Sequence, residues 1–168
     1  WVCSLLAQCY NHSMNYQQAL APAERAVELA QLDPEVQRFA VIRAHLELGI
    51  ALTYTSEDLS CAEAEIRKAL GLAHGNPSKE ALAYYALGAI QNRQGRSKQA
   101  LASYEHALKL NYDGVATQSL FVNAGVAAFD AHRYKETIHY MQRSLEFDGA
   151  LLEGKICAYY CLGESYRQ

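Results

Sequence analysis

Small residues recur along this sequence at intervals of 37 to 42 residues, and this internal repetition constrains the fold more than any other feature. In the clearest copy, Leu87 and Gly88 precede Ala100, Tyr104 and Ala107, which are spaced four and three residues apart. Similar copies begin at Leu6-Ala7, Leu48-Gly49, Ala124-Gly125 and, for a first half only, Leu162-Gly163. We therefore expect a single array of repeated units, at 1–32, 33–74, 75–112, 113–149 and a partial 150–168.

Each unit has the pattern of a helical hairpin. Apolar residues recur three and four positions apart on both sides of a short polar break. The breaks lie at 11–15, 55–60, 93–97 and 131–135. The small residues at positions 7, 49, 88, 125 and 163 allow two helix backbones to approach closely. Because one hairpin cannot cover both of its faces, the pattern predicts an all-α stack of hairpins.

The sequence also predicts where some helices begin and where one is disturbed. Asp33-Pro34 and Asn76-Pro77 each combine a capping side chain with a proline at the first helical position, which is typical of a helix start. Pro22 instead falls inside a predicted second helix, where it would leave the carbonyl of Gln18 without a donor. We expect a kink or a late helix start at Pro22.

The repeated residues resemble the motif of the tetratricopeptide repeat, which has an aromatic residue, Leu-Gly, a second aromatic residue, then Ala, an aromatic residue and Ala. The third unit carries the fullest set: Tyr84, Leu87, Gly88, Gly95, Ala100, Tyr104 and Ala107. The fourth unit departs from it with Thr137 and Ser144 in place of Ala. The resemblance covers essentially the whole chain and implies a right-handed α-α superhelix of about nine antiparallel helices, in a long-repeat variant. It also implies that the first helix of each unit lines a concave groove.

Composition narrows the classes of partner. Hydrophobic residues make up 51% of the chain and charged residues 20%, which is typical of a globular protein. The formal net charge is -3 and the chain has no basic stripe, so we expect no nucleic-acid partner. No apolar run reaches the ~18 residues of a membrane helix, so we expect no membrane partner either. We interpret the opening Trp1 as the start of a piece excised from a longer protein, and five cysteines without a disulfide pattern favour a cytoplasmic location.

No motif in the sequence points to catalysis or to a cofactor. The glycines stand singly, without the clustering of a phosphate-binding loop. The cysteines and histidines fall in none of the usual zinc spacings, and Cys157 and Cys161, one helical turn apart, are interpreted as packing residues. The carboxylates of Glu57, Asp58 and Asp130 have no base and nucleophile paired with them. We therefore predict a protein that is not an enzyme and that holds neither cofactor nor metal.

The predicted concave groove supplies the candidate binding residues. Positions three before, one after and five after the small residue of each first helix point into it. Together with an adjacent phenylalanine, those in the middle units are expected to form one contiguous apolar patch: Leu46, Ile50, Tyr54, Tyr85, Val122, Val126 and Phe129. Further positions complete the set: Arg43, Arg93, Asn123, Asp130 and Tyr160. Tyr85 and Phe129 are expected to be the most exposed, although packing between neighbouring first helices would bury several of the others.

These residues predict a non-catalytic scaffold that receives a peptide or a helical segment of a partner protein along its concave face. The family's clamp for a chaperone's terminal carboxylates is absent. The resemblance leaves two roles open for Asn123, which are to hold the backbone of the bound segment through its amide or to support the structure. Two alternatives stay open. One is a ligand- or peptide-sensing regulatory domain of a larger signalling or transcription protein. The other is an assembly module whose copies associate through the final half-unit, where Tyr159, Leu162 and Tyr166 lack a second helix.

Overall fold

The computed structural model describes residues 2–32, 38–110, 117–147 and 152–167, and within these ranges the chain forms helices joined by turns. The described helices are α1 (Val2–His12), α2 (Tyr16–Leu32), α3 (Arg38–Thr55), α4 (Ser60–Ala73), α5 (Pro77–Arg93), α6 (Ser97–Lys109), α7 (Thr117–Asp130), α8 (Tyr134–Leu145) and α9 (Leu152–Ser165). The predicted all-α class is confirmed, and each helix packs against the next one along the chain. None of the described helices has both the length and the apolar character needed to cross a bilayer.

The predicted hairpin breaks are confirmed, and three of the four turns share one backbone geometry. In each of these three, a residue with a positive φ follows the small residue by seven positions: Met14 (56°), Gly95 (71°) and His132 (58°). The next amide then donates across the helix end, as the N–H of Arg96 does to the carbonyl of Gln91 at 2.8 Å. The turn between α3 and α4 differs, because Asp58 closes it by accepting from the backbone N–H of Ser60 at 2.9 Å.

Glycine sets the distance between the two helices in three hairpins. In each, the glycine of the first helix faces a bulky side chain of the second: Gly49 faces Ile66, Gly88 faces Tyr104 and Gly125 faces Met141. A Cβ atom added to Gly49 would lie only 2.5 Å from Cδ1 of Ile66. A distance this short leaves no room for a side chain, so the predicted close approach at these glycines is confirmed.

The predicted start of α5 is confirmed. Asn76 accepts through Oδ1 from the backbone N–H of Lys79 at 3.1 Å, and Pro77 is the first helical residue. This pairing gives one of the amides at the helix start a partner that the helix itself cannot supply. The other predicted start, at Asp33-Pro34, lies outside the described residues.

The prediction of a late helix start at Pro22 is wrong. Helix α2 begins at Tyr16 and continues through the proline to Leu32. Ala19 and Ala23 are fully buried on either side of Pro22. Their packing against the neighbouring helices offsets the hydrogen bond that the proline nitrogen cannot donate.

The buried core runs along the stack in separate clusters, one per pair of neighbouring hairpins. The odd-numbered helices contact one another in succession, from α1 to α3, α5, α7 and α9. In the part of the chain that the structure describes, no two even-numbered helices contact each other. The odd-numbered helices therefore share one side of the stack, which we call the odd-helix face.

Candidate binding surface on the odd-helix face

Polar side chains join α1 to α3 on the odd-helix face. Asn11 donates through Nδ2 to the backbone carbonyl of Glu47 at 3.0 Å and to its carboxylate oxygen Oε2 at 2.8 Å. Arg43, a predicted binding residue, is half-buried and donates to Oε1 of Gln8 over 3.5 Å. Two hairpins are thus bridged by hydrogen bonds between their first helices.

Charged groups gather where α3 meets α5. Burial raises the pKa of Glu47, which is 5% exposed, while Asn11, Arg43 and Lys79 oppose that rise in part. Burial lowers the pKa of Lys79, which lies on α5, and the nearby charge of Arg43 lowers it further. Arg43 and Lys79 are therefore both close enough to Glu47 to favour its ionised form.

An aromatic and cationic stack lies at one end of the odd-helix face. Tyr54, near the end of α3, is 47% exposed. Its ring stacks on that of Tyr16, with centroids 4.0 Å apart and planes 16° from parallel. The guanidinium carbon of Arg93, the last residue of α5, lies 5.4 Å from the centre of the Tyr54 ring. The structure therefore brings together two predicted binding residues, Tyr54 and Arg93, from neighbouring hairpins.

A hydrogen bond joins α7 to α5. Asn123 donates through Nδ2 to the hydroxyl of Tyr85 at 3.0 Å. The ring of Tyr85 is half-buried and tilts against that of Tyr104, with centroids 6.0 Å apart. An asparagine amide has two N–H donors and a carbonyl acceptor, so this bond leaves Asn123 with groups that match a peptide backbone.

A cleft of about 240 Å³ opens between α7 and α9 beside this asparagine. Its lining combines polar side chains with a mainly apolar accessible surface: Gln118, Ser119, Val122, Asn123, Glu153, Gly154 and Cys157. Gly154 lets the two helices approach, because a Cβ atom added there would lie 3.0 Å from Nε2 of Gln118. Val122 and Asn123, both predicted binding residues, thus share one concave site.

The predicted contiguous apolar patch is wrong at its α3 end. Leu46 is 1% exposed and belongs to a buried cluster, and Ile50 packs against the same cluster. The cause is the crowding of α3, which contacts α1, α2, α4 and α5. Every residue from Ala44 to Gly49 is buried as a result, so Leu46 is corrected from a binding residue to a core residue.

The patch is also interrupted on α7. Val126 and Phe129 pack against a buried cluster formed by α8 and α9. Phe129, expected among the most exposed residues, is half-buried and makes an edge contact with Tyr134 at a centroid distance of 6.0 Å. Tyr85 is half-buried as well. The odd-helix face is therefore a surface of tyrosines, amides and cations, with apolar residues between them.

The last two predicted binding residues, Asp130 and Tyr160, lie at the edges of the odd-helix face. Asp130 ends α7 beside a groove of about 390 Å³ formed by two hairpin turns, whose lining includes Arg96 and Lys98. Partial burial raises the pKa of Asp130, and His132 opposes that rise. Tyr160 projects from α9 and is 65% exposed.

Five residues at these contacts are absent from the predicted set: Gln8, Asn11, Tyr16, Glu47 and Lys79. Two of them gave a signal in the sequence. Gln8 lies one position after Ala7, which is a groove position, and Glu47 is a lone carboxylate within the apolar run from Ala44 to Leu52. The others depend on which hairpin lies next to which, and this is not encoded in the periodicity of a single helix.

The titratable groups of the described residues form no cluster of three or more metal-ligating side chains. Cys157 and Cys161 lie one helical turn apart on α9. Burial, and then the neighbouring Cys157, raise the pKa of Cys161 to about 12. A thiol with such a pKa is protonated at neutral pH and is a poor nucleophile.

Comparisons of the sequence with protein-family models and with curated proteins find no match. The resemblance to tetratricopeptide repeats therefore depends on the sequence motif and on the hairpin geometry. A fold of this kind serves many functions, so the function has to be argued from the surface itself.

Proposed function

We propose that this chain is a non-catalytic scaffold of the tetratricopeptide type, which binds an extended segment of a partner protein along the odd-helix face. The observation that carries the proposal is the row of side-chain contacts between successive odd-numbered helices. The accessible contacts pair Gln8 with Arg43, Tyr54 with Arg93, and Tyr85 with Asn123, whereas the bond between Asn11 and Glu47 is buried. The accessible members of these pairs offer donors, acceptors and ring faces on the odd-helix face.

The lining supports an extended segment better than an amphipathic helix. A helix in a groove needs a continuous apolar stripe, and Leu46, Val126 and Phe129 are packed into the core instead. An extended segment exposes its backbone N–H and C=O groups, which the amide of Asn123 matches. Tyrosine rings such as that of Tyr54 give contact area at a small cost in conformational entropy.

Charge gives the bound segment a preferred direction. Arg43, Lys79 and Arg93 lie on α3 and α5, whereas Glu153 lies in the cleft between α7 and α9. Acidic residues of the partner would therefore lie at the α3–α5 end, and neutral or basic residues at the α7–α9 end.

The size of the cleft beside Asn123 favours a peptide side chain over a drug-sized ligand at this position. Pockets for drug-sized ligands usually occupy roughly 300–1,000 Å³. The cleft beside Asn123 occupies about 240 Å³ and is open on one side. It suits one side chain of a peptide that continues along the face.

The test begins with selection of peptides from a random display library on the wild-type chain. Binding of a selected peptide should weaken by about tenfold or more in Asn123→Ala and in Arg93→Ala if both are hot spots, since truncating a hot-spot residue costs about 2 kcal/mol or more. Lys109→Ala, an exposed change on the even-numbered helix α6, is the matched control and should leave the affinity unchanged.

Circular dichroism would confirm that all three variants stay folded. Equal affinity of the wild-type chain and both odd-face variants would defeat the proposal. An equal loss of affinity in Lys109→Ala would also contradict the proposal, because Lys109 does not lie on the odd-helix face.

A further inference from the structure

The cleft between α7 and α9 contains two hydrogen-bond acceptors that lack a donor. Asn123 lies on α7, and its Nδ2 donates to the hydroxyl of Tyr85 at 3.0 Å, so its carbonyl oxygen Oδ1 takes no part in that bond. Glu153 lies on α9, is exposed, and carries the only charge among the residues that line the cleft. In the described part of the chain, no group donates to Oδ1 of Asn123 and no cation pairs with Glu153.

The remainder of the cleft suits an aliphatic chain. Its accessible surface is mainly apolar, and Val122 contributes to it. The two helices lie close together here, because a Cβ atom added to Gly154 would lie 3.6 Å from Cγ2 of Val122. The volume of about 240 Å³ is enough for one long side chain. The cleft therefore combines an apolar wall with an exposed carboxylate.

The chemistry of this lining discriminates between classes of side chain. An acidic side chain would be repelled by the like charge of Glu153. An apolar side chain would cover the acceptors of Asn123 and Glu153 without giving either of them a donor, which is costly. A basic side chain supplies both donors and a positive charge, while its aliphatic stem covers the apolar wall. Only the basic class matches both parts of the cleft.

Arginine fits the two acceptors better than lysine does. The acceptors belong to different helices, and a guanidinium can donate to both at once, because its five N–H groups form a planar fork. The ammonium group of lysine is compact and more strongly hydrated. The second N–H of the Asn123 side-chain amide stays available for the backbone of the segment.

We infer that this cleft is a subsite for an arginine side chain of the bound segment, with Glu153 as the residue that selects its charge and Asn123 as the second acceptor. The inference rests on the proposed function, because the arginine belongs to the segment that the odd-helix face binds. It adds a specificity residue, Glu153, that the proposed function does not require.

Glu153 also has a structural role that the test has to separate from binding. It is the second residue of α9, and a carboxylate in the first turn stabilises the positive end of a helix. A change at Glu153 can therefore alter α9 itself. The decisive quantity is the coupling between Glu153 and the charge of the peptide, which a purely structural role would not produce.

The first experiment compares peptides selected from a random display library on the wild-type chain and on Glu153→Lys. Peptides selected on the wild-type chain should share an arginine at one position. On Glu153→Lys, Asp or Glu should replace it, because reversing the charge of the subsite reverses its preference. Glu24→Lys, a change of an exposed carboxylate on the even-numbered helix α2, is the matched control and should select arginine as the wild-type chain does.

The second experiment is a double-mutant cycle with one selected peptide. Replacing its arginine by citrulline, which has the same shape but no charge, should lower the affinity for the wild-type chain by about three- to fivefold, as expected for a partly exposed ion pair. The same replacement should change the affinity for Glu153→Gln by less than about 1.5-fold. Circular dichroism would confirm that the variants keep their helical content.

Two results would overturn the inference and leave the proposed function standing. One is a set of selected peptides that lose affinity in Asn123→Ala and Arg93→Ala but share no arginine. The other is an equal effect of citrulline on the wild-type chain and on Glu153→Gln. If no peptide is selected on the wild-type chain, the proposed function and the inference fail together.

Discussion

Gly88 and Tyr104 meet so closely that a Cβ atom on the glycine would lie 2.6 Å from Cε1 of the tyrosine ring. The ring is 1% exposed and also contacts the ring of Tyr85, with centroids 6.0 Å apart, so it has little room to move. This contact fixes the spacing of α5 and α6, and with it the position of Tyr85 on the odd-helix face.

Gly88→Ala should therefore destabilise the protein by about 1–3 kcal/mol, the usual cost of overpacking a rigid core. Gly125→Ala should cost less, because the atom it meets is the flexible end of Met141. Gly71→Ala, in open space on α4, should instead stabilise by up to about 1 kcal/mol. Urea unfolding of the three variants gives the order, and a Gly88→Ala variant as stable as Gly71→Ala would contradict the packing described here.

Met14 adopts a left-handed backbone conformation in its turn. This conformation costs free energy in a residue with a Cβ atom, but not in glycine. Its φ is 56°, and its side chain is 75% exposed, so the change Met14→Gly loses little packing. Left-handed backbone costs an ordinary residue about 1–2 kcal/mol, against about 0.5–1 kcal/mol for the greater chain entropy of glycine. We expect Met14→Gly to raise the free energy of unfolding by about 0.5–1 kcal/mol.

The reverse change provides the control for this turn. Gly95 has a φ of 71° in the equivalent position, so Gly95→Ala should lower the free energy of unfolding. Thermal melts of both variants and of the wild-type protein would measure these changes in stability. If Met14→Gly melted below the wild-type protein, the two turns would not share the geometry described.

Glu47 makes stability depend on pH in an unusual direction for a carboxylate. Because burial raises its pKa above 4.5, the folded protein favours the protonated form. The contribution of Glu47 to the free energy of unfolding is therefore complete below the pKa of the unfolded state. It is lost as the pH rises through the pKa of the folded state. Glu47→Gln removes this titration, so wild-type stability should fall relative to the variant as the pH rises above about 4.5.

The measurement is the difference in unfolding free energy between the two proteins at several pH values. Glu63 and Glu65, whose ion pairs lower their pKa despite burial, act in the opposite direction but are present in both proteins and cancel. A difference that stays constant, or that turns in favour of the wild-type protein as the pH rises, would contradict a raised pKa at Glu47.

The cysteines should differ in reactivity. Cys161 is 4% exposed and its pKa is raised to about 12, whereas Cys9 and Cys61 are exposed. Iodoacetamide at neutral pH should therefore modify Cys9 and Cys61 first and Cys161 last, as followed by peptide mass spectrometry. In denaturant, the difference in modification rate between these cysteines should disappear. Equal rates for Cys161 and Cys61 in the folded protein would contradict the burial of α9 against α7 and α8.

Much of the fold could be predicted because its signals are local. Polar breaks fix the hairpin turns, and single glycines such as Gly49 and Gly88 mark where helices approach. The Asn76-Pro77 pair marks the start of α5. Each of these depends on a few neighbouring residues and on the sterics of one turn.

The binding surface was predicted less well because it depends on neighbours. The period of a helix places Leu46 and Tyr54 on the same stripe of α3, yet one is buried and the other is half exposed. The difference arises because other helices cover the middle of α3 and leave its end open. Pro22 shows the same effect, since the burial of Ala19 and Ala23 keeps the helix intact around it.

The central claim is that the odd-numbered helices receive a partner segment, and photo-crosslinking tests it most directly. A selected peptide with a benzophenone side chain at successive positions should attach to α3, α5 and α7, with the attached residues identified by mass spectrometry. An acidic end should map near Arg93 and the opposite end near Asn123. Attachment to α4, α6 and α8, or to α9 alone, would contradict the account.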